Sequence, residues 1–221
     1  MRILIVAATA MELAPLAARL DHVPATARAA RLHRCTHAGH DIDTLTTGVG
    51  MVATAAWCSR ALADTRYALA LNIGVCGSFD PALAPGTVVH VVSDRIAELG
   101  AEDDDAFLTI QDLNLVGEDL FVNGAPPRNA VLGRLPEVSG ITVNTVHGNE
   151  RSIAAVVRRF KPQVESMEGA AFMYACLIHE VPFAQVRAVS NLVERRNRES
   201  WRMADAIRNL GAAALRIIDA A

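Results

Sequence analysis

Met1-Arg2-Ile3-Leu4-Ile5-Val6-Ala7-Ala8-Thr9-Ala10-Met11-Glu12 decides the fold class. Residues 2–8 are aliphatic and β-branched with little alternation, which marks a strand buried on both faces rather than one. Such a strand belongs in a sheet covered by helices on each side. Thr9 then offers a side-chain oxygen to the first free N–H groups of a helix over about 11–20. Glu12 falls in that helix's first turn, where the dipole favours a carboxylate.

The alternation of strand and helix continues outward from this start. Two polar strands are expected near 31–37 and 40–47, then Gly48-Val49-Gly50 and an alanine-rich helix over about 51–64. Buried strands are expected over Tyr67 to Ile73 and Thr87 to Ser93, and another over Ile141 to Val146. Asn149 caps a helix to about Phe160, a short strand covers Gln163 to Ser166, and a helix follows over about 168–179. Phe183 to Ser190 is the last buried strand. The closing helix spans about 199–219, with Trp201, Ala204, Ile207, Gly211, Leu215 and Ile218 on one stripe. This order predicts an α/β fold: one domain over residues 1–221, a three-layer α/β/α sandwich around a mixed, mostly parallel sheet. Residues 94–130, with acidic Glu102-Asp103-Asp104-Asp105 and Asn123-Gly124-Ala125-Pro126-Pro127, lack clear periodicity and read as a functional or interface excursion.

The totals narrow the function classes. The chain has 221 residues, is 52% hydrophobic and 20% charged, and carries a formal net charge of −3. That apolar content argues against disorder, and the charge provides no basic field for nucleic acid. Four cysteines, Cys35, Cys58, Cys76 and Cys176, show no CxxC pair, so neither a zinc site nor a redox dithiol is expected. A reducing, cytoplasmic setting follows. The opening apolar run is too short, and too soon followed by Glu12, for a signal peptide, and no membrane span is expected.

In a sheet of this type ligands sit beyond the carboxyl ends of the strands. Glu12, Gly48, Gly74, Glu168 and Asn191 all fall just after expected strands. Gly48-Val49-Gly50-Met51-Val52-Ala53 fits the dinucleotide pattern G-x-G-x-x-A, but the acidic residue due after the next strand is absent. A glycine turn that lets strand and helix pack closely is the preferred reading, and no cofactor is expected. Glu12 taken alone reads first as a helix-start carboxylate, and its place at the carboxyl end of the first buried strand is what points it to a pocket. Glu168 suits either a helix cap or a carboxylate accepting two hydroxyls of a sugar diol. Asn191 brings an amide donor and acceptor that can grip a purine edge.

Asn72-Ile73-Gly74-Val75-Cys76-Gly77, Ser166-Met167-Glu168-Gly169-Ala170 and Val186-Arg187-Ala188-Val189-Ser190-Asn191, in this order and spacing, resemble the nucleoside phosphorylase and nucleosidase superfamily. The resemblance covers essentially the whole chain and implies cleavage of an N-glycosidic bond. It places Glu12 where the hydrolytic branch keeps its water-activating glutamate, with Arg187 and the backbone of Val75 beside the water. It further implies substrate contacts from Cys76, Gly77, Met167 and Ser190. Phosphorylases of the superfamily gather arginines around phosphate; here Arg2 precedes the first strand and the next is Arg19, so water is the expected nucleophile.

The adenine-cleaving members, which act on methylthioadenosine and S-adenosylhomocysteine, carry an aspartate where Asn191 stands. An ionised carboxylate there opposes O6 and N7 of a 6-oxopurine with lone pairs alone, whereas the asparagine NH2 can donate to them. Asparagine also pairs with adenine, so this substitution leans toward hypoxanthine without deciding it. Ser190-Asn191-Leu192-Val193-Glu194-Arg195-Arg196-Asn197-Arg198-Glu199-Ser200-Trp201 and Thr9-Ala10-Met11-Glu12-Leu13-Ala14-Pro15-Leu16 resemble the futalosine hydrolases of the menaquinone pathway, which release hypoxanthine. A cation for the carboxylate on the 5′ side of that substrate is then expected from Arg195, Arg196 or Arg198. An adenine-releasing nucleosidase is the alternative enzyme, and a non-catalytic purine-sensing domain the alternative class. The superfamily commonly lends pocket residues between subunits, which implies a homo-oligomer, a dimer or larger, and a role for Phe107 in completing a neighbour's site.

Overall fold

The computed structural model describes residues 1–23, 31–115 and 117–221. Its first strand, β1 (Arg2–Ala7), sends Leu4 and Val6 to one face of the sheet and Ile3, Ile5 and Ala7 to the other, all buried. The two-residue period of an extended chain, applied to an unbroken apolar run, feeds two cores at once. One core is closed by α1 (Ala10–Ala17) and α5 (Met203–Asp219), through Leu13, Leu16, Leu210 and Ile217. The other is closed by α2 (Met51–Asp64) and α4 (Gly169–Ile178), through Cys58, Leu62, Phe172 and Met173. The three layers follow from that double burial.

The remaining strands are β2 (Asp21–His22), β3 (Leu32–His37), β4 (His40–Thr46), β5 (Leu69–Ser78), β6 (Val88–Ile96), β7 (Gly100–Asp103), β8 (Ala106–Thr109), β9 (Leu120–Val122), β10 (Glu137–Thr142), β11 (Val164–Ser166) and β12 (Phe183–Leu192), with α3 (Glu150–Phe160) before β11. From one edge the main sheet runs β2, β3, β4, β1, β5, β12, β6, β10, β11. β1 is parallel to both neighbours and β5 is parallel to β12 over nine paired positions, while β12 is antiparallel to β6. The sheet is therefore mixed, with its longest pairings parallel.

One feature was not expected. β11 pairs with β10 and also, antiparallel, with β5, so β5, β12, β6, β10 and β11 close on themselves. The closure brings the short strand carrying Glu165 beside Gly77.

Three boundaries differ from the sequence reading. β5 and β12 run on past Gly74 and Ser190, so Gly74 and Asn191 lie inside strands whose last residues form a cavity wall. The strand expected over 141–146 ends at Thr142, because its register with β6 begins at Glu137, and Val146 falls in a loop. α5 begins at Met203; of the expected stripe Ile207, Gly211 and Ile218 are buried and Ala204 is exposed, and Ala206, Leu210, Ala213, Ala214 and Ile217 are buried as well. Trp201 precedes the helix, and the buried face is wider than the expected stripe. The 94–130 excursion is also structured: β7 and β8 form a hairpin around Asp104 and Asp105, and β9 pairs with β6.

Candidate active site

The carboxyl ends of β1, β5 and β12 border a cavity of about 310 Å³, in the range of small-molecule sites. Glu12, Val75, Cys76, Gly77, Met167, Glu168, Ser190 and Asn191 all line it. Sequence segments more than 170 residues apart thus supply one concave surface.

Glu12 satisfies both of its readings. Thr9 caps α1, and Glu12 answers from the third helical position: its Oε2 accepts from Thr9 N–H at 3.0 Å and from Thr9 Oγ1 at 2.8 Å. That reciprocal box fixes the side chain. The other oxygen, Oε1, turns to the sheet and accepts from Val75 N–H at 3.1 Å. Val75 contributes this backbone donor and an apolar wall. Gly74 makes the arrangement possible, since a Cβ there would collide with the Arg187 guanidinium and lie 3.1 Å from Glu12 Oε1. Each carboxylate oxygen is oriented by the fold.

Glu168 stands at the N-terminal end of α4, yet its side chain makes no capping bond. The helix-cap reading is therefore corrected. Its Oε1 accepts from Gly50 N–H at 3.1 Å, and Oε2 lies 3.4 Å from Arg187 Nη1. The glycine turn before α2 serves the site as a backbone donor, a role the sequence reading did not give it. Arg187 is 1% exposed and donates through Nη2 to Asn72 Oδ1 at 2.6 Å, while Asn72 in turn donates to Val6 carbonyl. Arg187 is not part of the cavity wall; it stands behind Glu168, with its guanidinium against Gly74, on the side where the Glu12 carboxylate lies. The pair is buried on both sides, and removing either partner of such a pair typically costs about 3–5 kcal/mol.

Asn191 lies on the opposite side of the cavity. Its Nδ2 donates to Leu192 carbonyl at 2.8 Å and its Oδ1 accepts from Ser190 Oγ at 2.8 Å. An amide has two N–H groups and two lone pairs on oxygen, so one of each remains for a ligand. Ser190 Oγ also sits 3.1 Å from Cys76 carbonyl, which makes it a brace for Asn191 as well as a lining group. Burial pushes the Cys76 thiol up to about 12, so its sulfur packs and does not act as a thiolate nucleophile.

Lining residues to which the sequence reading gave no site role include His147, Glu165 and Trp201. His147 and Glu165 form a pair, with Nδ1 to Oε2 at 2.6 Å. Arg196 reaches the cavity with its guanidinium 5.4 Å from the centroid of the Trp201 ring, which also lines it. Neither His147 nor Glu165 was given a role, although Glu165 adjoins the Ser166–Ala170 motif; the pairing of β11 with β5 sets it beside Gly77. Among the three candidate arginines, Arg196 lines the cavity and Arg195 and Arg198 do not. Phe107 lies outside it as well, with the Arg159 guanidinium 3.9 Å from its ring centroid, in a separate cleft beside β7 and β8. The exposed hairpin swings that side chain toward α3, away from this chain's cavity.

Among the described residues, no group of three or more His, Cys, Asp or Glu is placed to hold a metal ion, and no helix is long and apolar enough to cross a membrane. All four cysteines are free.

Comparison with known proteins agrees with this fold. The family model of the phosphorylase superfamily matches residues 2–221. The futalosine hydrolase of Streptomyces coelicolor is 34% identical over 174 residues, covering 75% of this chain and 73% of that protein. The futalosine hydrolase of Thermus thermophilus is 31% identical over 180 residues, covering 79% and 80%. The solved structure of futalosine hydrolase from Helicobacter pylori superposes with a TM-score of 0.84 at 14% identity, covering 99% of this chain and 97% of that one. The chain belongs to the phosphorylase superfamily and, within it, to the futalosine hydrolase family.

Proposed function

We propose that this protein hydrolyses the N-glycosidic bond of futalosine and releases hypoxanthine. The observation that carries the reading is the convergence of Glu12, Glu168 and Asn191 on one cavity, each with a free hydrogen-bonding position after its structural partners are counted. Glu12 orients a water and takes its proton as the water attacks the anomeric carbon. Glu168 accepts the ribose hydroxyls, and its negative charge favours a sugar that becomes oxocarbenium-like as the bond to the base lengthens. Asn191 meets the charge that builds on the departing base through a hydrogen bond, since an amide has no titratable proton to give. Arg196, stacked near Trp201, faces the carboxylate on the 5′ side of the substrate. Phe107 belongs to the site only if a second copy of the chain brings it there.

Support for the hypoxanthine assignment comes from the family relationship together with an amide rather than a carboxylate at position 191. A product assay over futalosine, its 6-amino analogue and methylthioadenosine tests it. Free hypoxanthine from futalosine is expected as the fastest reaction. Faster release of adenine replaces the assignment with an adenine nucleosidase, and binding without release replaces it with a purine sensor.

A further inference from the structure

We infer that Glu165 reads the N1–H of the 6-oxopurine and is the residue that sets base selectivity; this rests on the hydrolytic reading above. The sheet register places it. Glu165 on β11 pairs with Gly77 on β5, and Asn191 on β12 pairs with the same Gly77. The three residues form one row across three strands. A Cβ built on Gly77 would meet Val193 Cγ2 at 2.8 Å and lie 3.5 Å from Asn191 Nδ2 and 3.6 Å from Glu165 Cγ. The amide and the carboxylate side chain therefore flank the same glycine, with Val193 packed over it, and both line the cavity. One heterocycle seated there touches both.

The carboxylate is held for a purpose other than a cap. It is 4% exposed, and its bonded partners both come from His147, whose N–H donates to Oε1 at 3.1 Å and whose Nδ1 donates to Oε2 at 2.6 Å. A carboxylate only accepts, so that ring nitrogen carries the hydrogen. Each oxygen keeps lone-pair capacity. A buried carboxylate is costly, and here it has no arginine or lysine bonded to it among the described residues.

The chemistry of the two bases then decides between them. A 6-oxopurine presents an N1–H donor beside the O6 acceptor, and a 6-aminopurine presents an N1 lone pair beside an amino donor. A carboxylate at N1 makes a charge-assisted bond with the first and opposes the lone pair of the second. Asn191 pairs with either base, so it leaves the choice open. Glu165 closes it. His147 acts as a positioning residue that aims the carboxylate.

The test compares kcat/KM for futalosine and its 6-amino analogue in the wild type and in Glu165→Gln. The glutamine amide can donate to the N1 lone pair, so the 6-oxo substrate is expected to fall by about tenfold or more while the 6-amino substrate holds or rises. Opposed changes are what a merely structural glutamate does not produce. A parallel loss on both substrates, with their ratio unchanged, overturns the inference and leaves the hydrolytic reading standing. A wild type that releases no hypoxanthine overturns both. Should Glu165→Gln not fold, Glu165→Asp keeps the charge but withdraws it; loss of hypoxanthine binding relative to adenine, read by calorimetry, is expected, and an unchanged ratio of affinities again overturns the inference.

Discussion

The two ends of the cavity are built from different materials. At the end assigned to water and sugar, Glu12 and Glu168 take hydrogen bonds from the main-chain N–H groups of Thr9, Val75 and Gly50, and two more from the side chains of Thr9 and Arg187. At the end assigned to the base, the main chain supplies one N–H, from His147 to Glu165, and side chains supply the other donors, the Ser190 hydroxyl to Asn191 and the His147 ring to Glu165. Backbone donors come with the fold and change only if strands move. Side-chain braces change with one substitution. The proposed bond-breaking geometry thus leans more on the main chain, and the proposed base choice more on side chains.

The sharpest way to break this contrast is at Glu12. Glu12→Gln keeps an acceptor for the Thr9 box but removes the base, and turnover is expected to fall about a thousandfold, within the usual span of general-base catalysis. The loss should be the same for 6-oxo and 6-amino substrates, as read from kcat on each. Sparing of one substrate would mean that the water end and the base end are not separate. Asn191→Ala is next in size: losing one positioned hydrogen bond costs about 2.7–4 kcal/mol of barrier, or on the order of a hundredfold in kcat and more. Its companion Asn191→Asp should lose the 6-oxo substrate in preference to the 6-amino one, and equal loss would leave Asn191 without a part in reading the base.

How much of this could be read in advance follows the same division. β1, Thr9 and Glu12 were legible because an unbroken apolar run, a cap and a first-turn carboxylate are local patterns. Glu168 and Asn191 were legible through motif resemblance, but the partners that hold them were not. Gly50 N–H reaches Glu168 across 118 positions of sequence, and Arg187 reaches Asn72 across 115. Nothing in the local sequence marks such contacts. Glu165 was hidden for another reason: its place beside Gly77 depends on β11 pairing on two sides, a closure that a three-residue strand does not announce. Phe107 was assigned to a neighbour's site, and the β7–β8 hairpin holds it outside this chain's own cavity; a pocket shared between copies is not legible in one chain.

The smallest effect expected lies beneath the sugar end, at Asp94. This residue is fully buried, its Oδ1 accepts from Thr142 Oγ1 at 2.8 Å, and its Oδ2 accepts from Gln185 Nε2 at 2.9 Å. Thr142 Oγ1 in turn accepts from Ala170 N–H at 2.7 Å, which ties the cluster to the first turn of the helix that Glu168 heads. Burial raises the Asp94 carboxyl from 3.8 to about 6, against the opposing pull of the Gln185 and Thr142 hydrogen bonds and of Arg187. Between those values the folded protein binds the proton more tightly than the unfolded chain does. The stabilisation is therefore complete below about pH 4 and is lost as pH rises through about 6. Asp94→Asn removes this titration. The stability of the wild type relative to the variant, from denaturant unfolding, should decline by on the order of 2 kcal/mol between pH 4 and pH 7. Turnover by the variant at neutral pH should stay within about tenfold of the wild type, because the cluster supports Glu168 without touching substrate. A stability difference that does not vary with pH would show that the buried carboxyl is not perturbed, and that the ground beneath Glu168 is held by packing alone.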